Sequence, residues 1–380
     1  MNKMRSLCLI LFFFTVGLAK YPEDEKSVRW LMNRWQQEYN VVYKSATQNI
    51  EKFKTFRENV KYINWLNKAH NGQTEFELNK FADLSPDEFK SKILMPKRQP
   101  PTFESSRYIR GSGLHERDLP ESFDWSTQGR VTPVKDQGDV GTCWAFSTVE
   151  NIEGQWIQLG QPMTNLSVEQ VVECDGVADI PHNNTHADCG IFGGWPYLAY
   201  QYVMKAGGLQ TWEDYWYCCG LGGKPGTCDI CPAAGYNWTR CGPPVPYCNM
   251  TQSCAVKINP KKFVPGLKVV DWKAVDPNET AIAEQLMNIG PLSVALDATL
   301  LQFYHKGVFD PIFCSKSNLD HAVLVVGFGK EKDLFSTKPF WKVKNSWGET
   351  WGENGYFRIL RGSGTCGINT QVTTAVLQKP

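Results

Sequence analysis

The chain has 380 residues, which is enough for two or three domains and a sizeable hydrophobic core. Its 40 basic and 39 acidic residues give a formal net charge of +1, so we expect neither a nucleic-acid partner nor a membrane partner. Hydrophobic residues make up 42% of the chain and aromatic residues 13%, a composition that excludes disorder as the overall state.

Residues 1–19 have the pattern of a secretory signal peptide. Lys3 and Arg5 precede an apolar run over residues 7–16, and small residues lead to Ala19, where we expect cleavage. The run is too short to span a bilayer, so we expect a soluble mature protein that folds in an oxidising compartment. N-glycosylation sequons fit that route, at Asn165, Asn183, Asn237, Asn249 and Asn278.

The next region predicts helices followed by a linker. Apolar residues recur at three- and four-residue steps between residues 27 and 69, which is typical of an amphipathic helical pair. A further helix is expected to begin at Ser85, with Pro86 at its first position. Residues 96–118 are rich in Pro, Gly and charge, which predicts an exposed linker open to proteolytic nicking and a domain boundary near Arg117.

The remaining chain is predicted to be helix-rich first and strand-rich second. Residues 143–157 and 167–173 read as helices, the second begun by Ser167. From about residue 263 apolar runs alternate with turns, which suggests an antiparallel sheet. This order predicts an α+β fold of two subdomains with a cleft between them.

A cysteine-rich block, about residues 218–253, interrupts this pattern. It has little periodicity and many Gly and Pro residues, so it needs covalent staples to hold a structure. Its Cys228 and Cys231 leave open a zinc site with His182 or His186, but an oxidising compartment favours disulfides. We therefore expect no metal and no other cofactor.

Three residues together indicate nucleophilic catalysis. Cys143 lies at a predicted helix start, where the helix dipole favours a thiolate. His321 opens a predicted strand and Asn345 follows another. Taken singly, the cysteine is more often half of a disulfide and the other two are more often structural. Together they are the residue types of a Cys-His-Asn hydrolase.

Ordered motifs give a resemblance to a known family. They read QGDVGTCWAFSTVENIEG, LSVEQVVECD, GGWPYLAY, LDHAVLVVGFG and FWKVKNSWGETWGENGYFRILRGSGTCGI. These segments resemble the papain family of cysteine proteases, in the style of the cathepsin L-like group. The resemblance implies a papain-like fold with a helical left half and an antiparallel, barrel-like right half at residues 119–380. It implies a helical inhibitory propeptide at residues 20–118.

The resemblance also implies roles for the site residues. Cys143 would be the nucleophile, His321 the general base and acid, and Asn345 the group that orients His321. Gln137 would donate its side-chain amide to the oxyanion, together with the Cys143 backbone N–H. Trp347 would shield the pair formed by His321 and Asn345 and line the leaving-group side.

Substrate-binding positions follow in the same way. Gly193 and Gly194 would pair with an extended peptide, and Trp195 would wall the main specificity pocket. The other pocket positions by resemblance are Ala295, Leu319 and Gln371. Trp195 and Leu319 are also consistent with plain core positions. A polar Gln371 at the pocket floor predicts acceptance of bulky apolar or aromatic residues with some tolerance of polar ones.

The cysteines depart from the family pattern. Val140 and Ile191 stand where the family has a disulfide pair, and their apolar contact would replace part of its stabilisation. The resemblance implies disulfides Cys174–Cys254 and Cys314–Cys366. Seven further cysteines remain besides Cys143, an odd number whose pairing stays open: Cys189, Cys218, Cys219, Cys228, Cys231, Cys241 and Cys248.

The propeptide resemblance also has departures. Phe56, Asn59, Ile63 and Asn67 match its helix motif, and Asn79, Phe81 and Asp83 match the shorter motif that follows. The usual Glu and Arg of the helix are Gln48 and Lys52, and Glu77 stands where Gly is usual.

Two functions from different classes are consistent with these features. The first is a lysosomal or secreted cysteine endopeptidase, made as a zymogen and acting through a thioester acyl-enzyme intermediate. Its partners would be peptide and protein substrates, its own propeptide and cystatin-like inhibitors, and we expect a monomer. The alternative is a non-catalytic secreted glycoprotein that uses the fold and the cysteine-rich insertion for binding.

Overall fold

The structure is a computed structural model that describes residues 19–177, 187–217, 258–332 and 337–379. The predicted signal peptide, apart from Ala19, and the cysteine-rich block lie outside these residues. So do His182 and His186, the alternative zinc ligands, and the sequons at Asn183, Asn237 and Asn249. The described part has the predicted α+β fold.

The N-terminal segment, residues 20–118, begins with the predicted helical pair. Helices α1 (Glu25–Glu38) and α2 (Ala46–His70) pack through Trp35 and Phe56, whose ring centroids are 5.6 Å apart. Strand β1 (Thr74–Phe76) follows, and then helix α3 (Pro86–Lys92). Ser85 caps α3 as predicted, because its hydroxyl accepts the Glu88 N–H while the Glu88 carboxylate accepts the Ser85 N–H.

The helical subdomain is built around one buried helix. Helix α4 (Cys143–Gln158) is buried along almost its entire length, since it packs against two helices on one side and strands on the other. These neighbours include α5 (Val168–Cys174) and α6 (Pro196–Ala206). Ser167 caps α5 by accepting the Gln170 N–H, as the sequence predicts.

The strand-rich subdomain is one sheet with helix α7 (Glu279–Ile289) packed on it. Its strands are β2 (Tyr108–Ile109), β3 (Phe123–Asp124), β4 (Val269–Val275), β5 (Leu292–Leu296), β6 (Tyr304–Phe309), β7 (His321–Lys332), β8 (Thr337–Lys344), β9 (Tyr356–Leu360) and β10 (Val372–Leu377). The order along the sheet is β1-β6-β9-β8-β7-β5-β10-β4-β2, with β3 on β7. The pairing is antiparallel as predicted, except that β2–β4 and β6–β9 are parallel.

The prediction of an exposed linker at residues 96–118 is wrong for its first part. The backbone of Arg98 pairs with that of Leu319, Phe103 packs edge-on against Tyr197 and Trp272, and Tyr108 begins strand β2. Proline and charge at these positions do not reveal that the apolar side chains dock on a distant surface. Residues 112–118 form the longest continuously exposed run of this stretch.

The disulfide predictions are partly tested. The Cys314–Cys366 bond is present, which confirms that pairing. Cys174 and Cys189 are both disulfide-bonded, so Cys189 is not the odd free thiol. The predicted partner of Cys174, Cys254, lies outside the described residues, and the Cys174–Cys254 pairing stays a prediction.

The Val140 and Ile191 positions come together as the sequence analysis expects. Ile191 belongs to the buried core of the helical subdomain, and Val140 packs against the same core. The Gly141 N–H between them donates to the Ile191 carbonyl at 2.9 Å. Apolar packing and a backbone hydrogen bond therefore join the two segments at the positions where the family has a disulfide.

A buried network of four charges joins the two subdomains, and we call it the charge network. Glu153 of α4 pairs with Lys135 at 2.8 Å, and Glu150, one turn earlier, pairs with Lys344 at 2.7 Å. All four side chains are at most 7% exposed. Thr132 donates its hydroxyl to Glu153. The network contains two positive and two negative groups, so its net charge is zero.

Loss of one member of the charge network is expected to destabilise the fold. Lys344→Met leaves Glu150 facing only the more distant Lys135, at 3.6 Å, and should lower the free energy of unfolding by about 3–5 kcal/mol. The measurement is denaturant unfolding followed by tryptophan fluorescence. The matched control is Lys332→Met, which breaks the exposed pair of Lys332 with Glu121 and should cost at most about 1 kcal/mol. Equal stability of the two variants would contradict a stabilising network.

Candidate active site

Cys143 is the first residue of α4 and is fully buried. The Thr142 carbonyl before it accepts the first N–H bonds of the helix, so the sulfur lies at the positive end of the helix dipole. The Ala322 N–H donates to the sulfur at 3.4 Å, across the junction between α4 and the start of β7. Among the described residues Cys143 is the one free cysteine.

His321 and Asn345 form a hydrogen bond that fixes the imidazole tautomer. Asn345 Oδ1 lies 2.7 Å from His321 Nε2 and also accepts the Ser346 N–H at 2.8 Å. A backbone N–H requires an acceptor, so the amide oxygen and not its nitrogen faces the ring. Nε2 therefore carries the proton. Nδ1 remains an acceptor and has no hydrogen-bond partner among the described residues.

Trp347 covers the hydrogen bond between His321 and Asn345. Its ring stacks on the imidazole with centroids 4.7 Å apart and an interplanar angle of 27°. Two phenyl rings of the N-terminal segment, Phe81 and Phe89, pack edge-on against the indole at 5.5 and 5.4 Å. Trp347 therefore contacts the imidazole as well as two rings of the N-terminal segment. These contacts anchor the segment next to the imidazole.

Gln137 joins the same cluster through its side-chain amide. Ser346 donates its hydroxyl to Gln137 Oε1 at 2.7 Å, which directs Nε2 the other way. Nε2 donates to two carbonyl oxygens, that of Val140 at 2.8 Å and that of Ile93 at 2.9 Å. Ile93 belongs to the N-terminal segment, so a carbonyl of that segment accepts the amide N–H predicted to bind an oxyanion.

The N-terminal segment continues along the predicted substrate-binding residues. The Met95 N–H donates to the Asp320 carbonyl at 2.8 Å, and the Met95 sulfur accepts the Gly194 N–H at 3.3 Å. Gly193 has φ = 107°, a left-handed value that favours glycine, and a Cβ there would lie 2.8 Å from Met95. The missing side chain leaves the space that the segment fills.

The remaining residues that the resemblance assigns to a pocket lie in the interior. Trp195, Ala295 and Leu319 are at most 1% exposed, so burial alone does not separate pocket positions from core positions. Gln371 is more informative. It is 1% exposed, and neither its side-chain oxygen nor its nitrogen has a hydrogen-bond partner among the described residues.

Burial holds both reactive groups in their neutral forms. It raises the pKa of the Cys143 thiol to about 12, and the Ala322 N–H only partly offsets this shift. Burial also lowers the pKa of His321 to about 4, against the hydrogen bond with Asn345. Near neutral pH the thiol therefore keeps its proton and the imidazole carries no charge. The covered site holds no thiolate.

Sequence reasoning missed Ser346 and the segment contacts at Met95 and Arg98. Ser346 links Asn345 to Gln137, and only its place between Asn345 and Trp347 signals it. The described residues contain no cluster of three or more acidic, His or Cys side chains that could hold a metal ion. Nor does any helix in the described ranges have the length and apolarity to cross a membrane.

Comparisons with known proteins agree with this geometry. Residues 119–376 match the model of the papain family of cysteine proteases, and residues 33–89 match that of the cathepsin propeptide inhibitor domain. Cysteine proteinase 1 of Dictyostelium discoideum is 35% identical over 98% of this chain and 99% of its own length. Cathepsin F of Mus musculus is 33% identical over 89% of this chain and 63% of its own length.

A solved zymogen has the same fold. The digestive procathepsin L2 of the Tenebrio molitor larval midgut superposes with a TM-score of 0.71 at 25% identity. The match covers 92% of this chain and all of that one. It therefore includes the N-terminal helices as well as the two subdomains.

The full chain should react slowly with thiol reagents at Cys143. With its pKa raised to about 12, the thiol is almost wholly protonated at pH 5 to 7, and we expect alkylation by iodoacetamide at least about 100-fold slower than after removal of the N-terminal segment. Peptide mass spectrometry measures the Cys143 adduct, with Cys143→Ser as control. Equal rates at pH 5 before and after removal would contradict the neutral, covered site.

Proposed function

The chain belongs to the papain family of cysteine proteases, and from this premise we propose a role for each residue of the site. The protein is a cysteine endopeptidase made as a zymogen, with an inhibitory propeptide of the cathepsin type. In our proposal Cys143 attacks the peptide carbonyl as a thiolate and forms a thioester acyl-enzyme. His321 takes the thiol proton through Nδ1 and later protonates the leaving amine.

Asn345 is proposed to hold His321 in the tautomer that this chemistry needs. Its oxygen accepts the Nε2 proton and is held in turn by the Ser346 N–H, so Nδ1 stays free for the thiol. The stack of Trp347 on the imidazole keeps water from that hydrogen bond. Trp347 is also proposed to line the leaving-group side of the cleft.

Gln137 and the Cys143 backbone N–H are proposed to bind the oxyanion. The observation that carries the proposal is the hydrogen bond from Gln137 Nε2 to the Ile93 carbonyl, because a carbonyl of the inhibitory segment already occupies this donor. A scissile carbonyl oxygen that takes its place would gain negative charge next to Nε2 in the transition state. The same contact excludes substrate while the segment is bound.

Processing is proposed to occur in the exposed residues 112–118, close to the predicted boundary at Arg117, and to release the enzyme at residues 119–380.

A signal peptide at residues 1–19 would direct the chain to the lysosome or out of the cell. Asn278 supports glycosylation, since it is exposed and caps α7 through Oδ1, which leaves Nδ2 for the glycan. Asn165 is half-buried. We also propose that the enzyme is a monomer and that cystatin-like inhibitors bind it.

Activation and labelling test the proposed roles. After incubation at acid pH, the purified full chain should hydrolyse fluorogenic peptides and bind an epoxide inhibitor of cysteine proteases at Cys143. Cys143→Ala, processed in trans, should lose both. Gln137→Ala should lower kcat by about 10²–10³-fold while the label still binds, because it removes one oxyanion donor. Labelling that persists in Cys143→Ala, or a processed chain without activity, would overturn the proposal.

The Gln371 amide, which has no hydrogen-bond partner in the described part of the chain, supports a proposed substrate preference. Gly193, Gly194, Trp195, Ala295, Leu319 and Gln371 are proposed to form the cleft and its main pocket, as the sequence predicts. A pocket with an unpaired buried amide should accept bulky apolar or aromatic P2 residues and tolerate polar ones.

A fluorogenic P2 library on the processed enzyme measures this preference. Gln371→Leu should lower kcat/KM for a glutamine P2 residue relative to leucine by about tenfold, because the pocket then offers no hydrogen-bond partner. A strict preference of the wild-type enzyme for small P2 residues would contradict the proposed pocket.

A further inference from the structure

Arg98 of the propeptide lies in a pocket of the helical subdomain. Its side chain is buried, with the residue only 6% exposed. The guanidinium donates from Nη1 to the Ala187 carbonyl at 3.0 Å and from Nη2 to the Phe192 carbonyl at 3.5 Å. Nη2 also lies 3.8 Å from the Cys189 sulfur. We call these groups, together with Asp188, the Arg98 pocket.

Charge in the Arg98 pocket comes from a buried carboxyl pair. Asp188 and Asp175 are hydrogen-bonded to each other and fully buried. Burial raises both pKa values, that of Asp175 to about 6, and mutual repulsion further raises that of Asp188. The two groups are therefore expected to share one proton near neutral pH and keep one negative charge. The Arg98 cation acts in the opposite direction and lowers the pKa of Asp188.

The Asp188 side chain of the Arg98 pocket is held by contacts within the enzyme part of the chain. Asp188 Oδ1 accepts the Trp195 N–H at 2.6 Å, directly before α6. A Cβ on Gly194 would lie 2.5 Å from the same oxygen, so the chain fits tightly around the carboxylate. These contacts join residues of the enzyme part only and do not involve the propeptide.

The backbone of Arg98 lies along the predicted substrate cleft. The Arg98 backbone forms a two-way hydrogen-bonded bridge with Leu319, N to O at 2.9 Å and O to N at 2.8 Å. Leu319 lies two residues before His321, and the charge on Arg98 is close enough to Cys143 to lower the pKa of its thiol. The propeptide backbone that carries the guanidinium therefore runs past the strand that begins with the reactive histidine.

We propose that the Arg98 pocket is a guanidinium-binding subsite of the processed enzyme, which selects peptides with an arginine on the non-prime side of the scissile bond. This inference rests on the proposed function, since it assumes that the processed enzyme cleaves peptides. The carbonyls of Ala187 and Phe192 accept from two different nitrogens of one planar group. A lysine ammonium lacks that planar fork and should bind less well.

A propeptide-derived inhibitor tests the pocket directly. The probe is a synthetic peptide of residues 90–104, added to the processed enzyme. Replacement of Arg98 by citrulline, which keeps the shape and removes the charge, should raise the inhibition constant at least about tenfold. The matched control is Lys92→Gln in the same peptide, because Lys92 is exposed and its replacement should leave inhibition unchanged. Equal inhibition by the arginine and citrulline peptides would overturn the subsite.

Substrates give a second, independent readout. Fluorogenic peptides with arginine or citrulline at P2, P3 or P4 are compared on the same enzyme preparation. At one position arginine should raise kcat/KM at least about tenfold over citrulline, and Asp188→Asn should reduce that ratio to about one. Cleavage of all peptides with a ratio near one at every position would overturn the subsite alone. Absence of any cleavage or epoxide labelling would instead overturn the proposed catalytic function.

Discussion

The charge network of Lys135, Glu150, Glu153 and Lys344 is the constraint that holds the site together. Glu150 and Glu153 belong to the helix that Cys143 begins, Lys135 lies two residues before Gln137, and Lys344 directly precedes Asn345. Each of these ions is buried and has lost its hydration, so the fold is stable only when a partner of opposite charge compensates for that loss. Burial lowers the pKa of Lys344 to about 8, and the negative charge of Glu150 opposes this shift. The chain segments around the thiol, the amide donor and the orienting amide are thus fixed by one set of contacts.

Access of water then decides the charge state of the reactive pair. The propeptide leaves Cys143 and His321 without exposed surface, and in that environment the neutral thiol and neutral imidazole are the stable forms. The helix dipole and the Ala322 N–H favour a thiolate but do not outweigh burial. Inhibition therefore has an electrostatic part besides the steric one, because the cover removes the solvation that an ion pair needs.

Local rules predicted the elements that begin at one identifiable residue. Ser85 and Ser167 cap helices as expected, since a cap depends only on the next three residues. The docking of Arg98 on Leu319 was not predictable, because it joins positions far apart in the chain and turns a charged, proline-flanked segment into a buried one. Lys52 lies between the predictable helix caps and the unpredictable docking of Arg98. The sequence shows that it replaces the usual arginine, and the structure adds that it pairs with Glu88 at 2.9 Å, a partner that the motif does not name.

The propeptide holds both walls of the cleft with two neighbouring basic residues. Arg98 lies on the helical wall, where its charge lowers the pKa of the buried Asp188, and Lys97 pairs at 2.9 Å with Asp297, which is 3% exposed, on the strand wall. The backbone between them is short, so both contacts form together only when the walls stand at the distance seen here. Attraction between fully exposed charges contributes little to binding. Here the acidic side chain on each wall is buried, which strengthens its attraction to the cation. The propeptide therefore carries a charge suited to an acidic side chain on each wall, in addition to the contacts through which Phe81 and Phe89 cover Trp347 and the Ile93 carbonyl occupies the Gln137 amide.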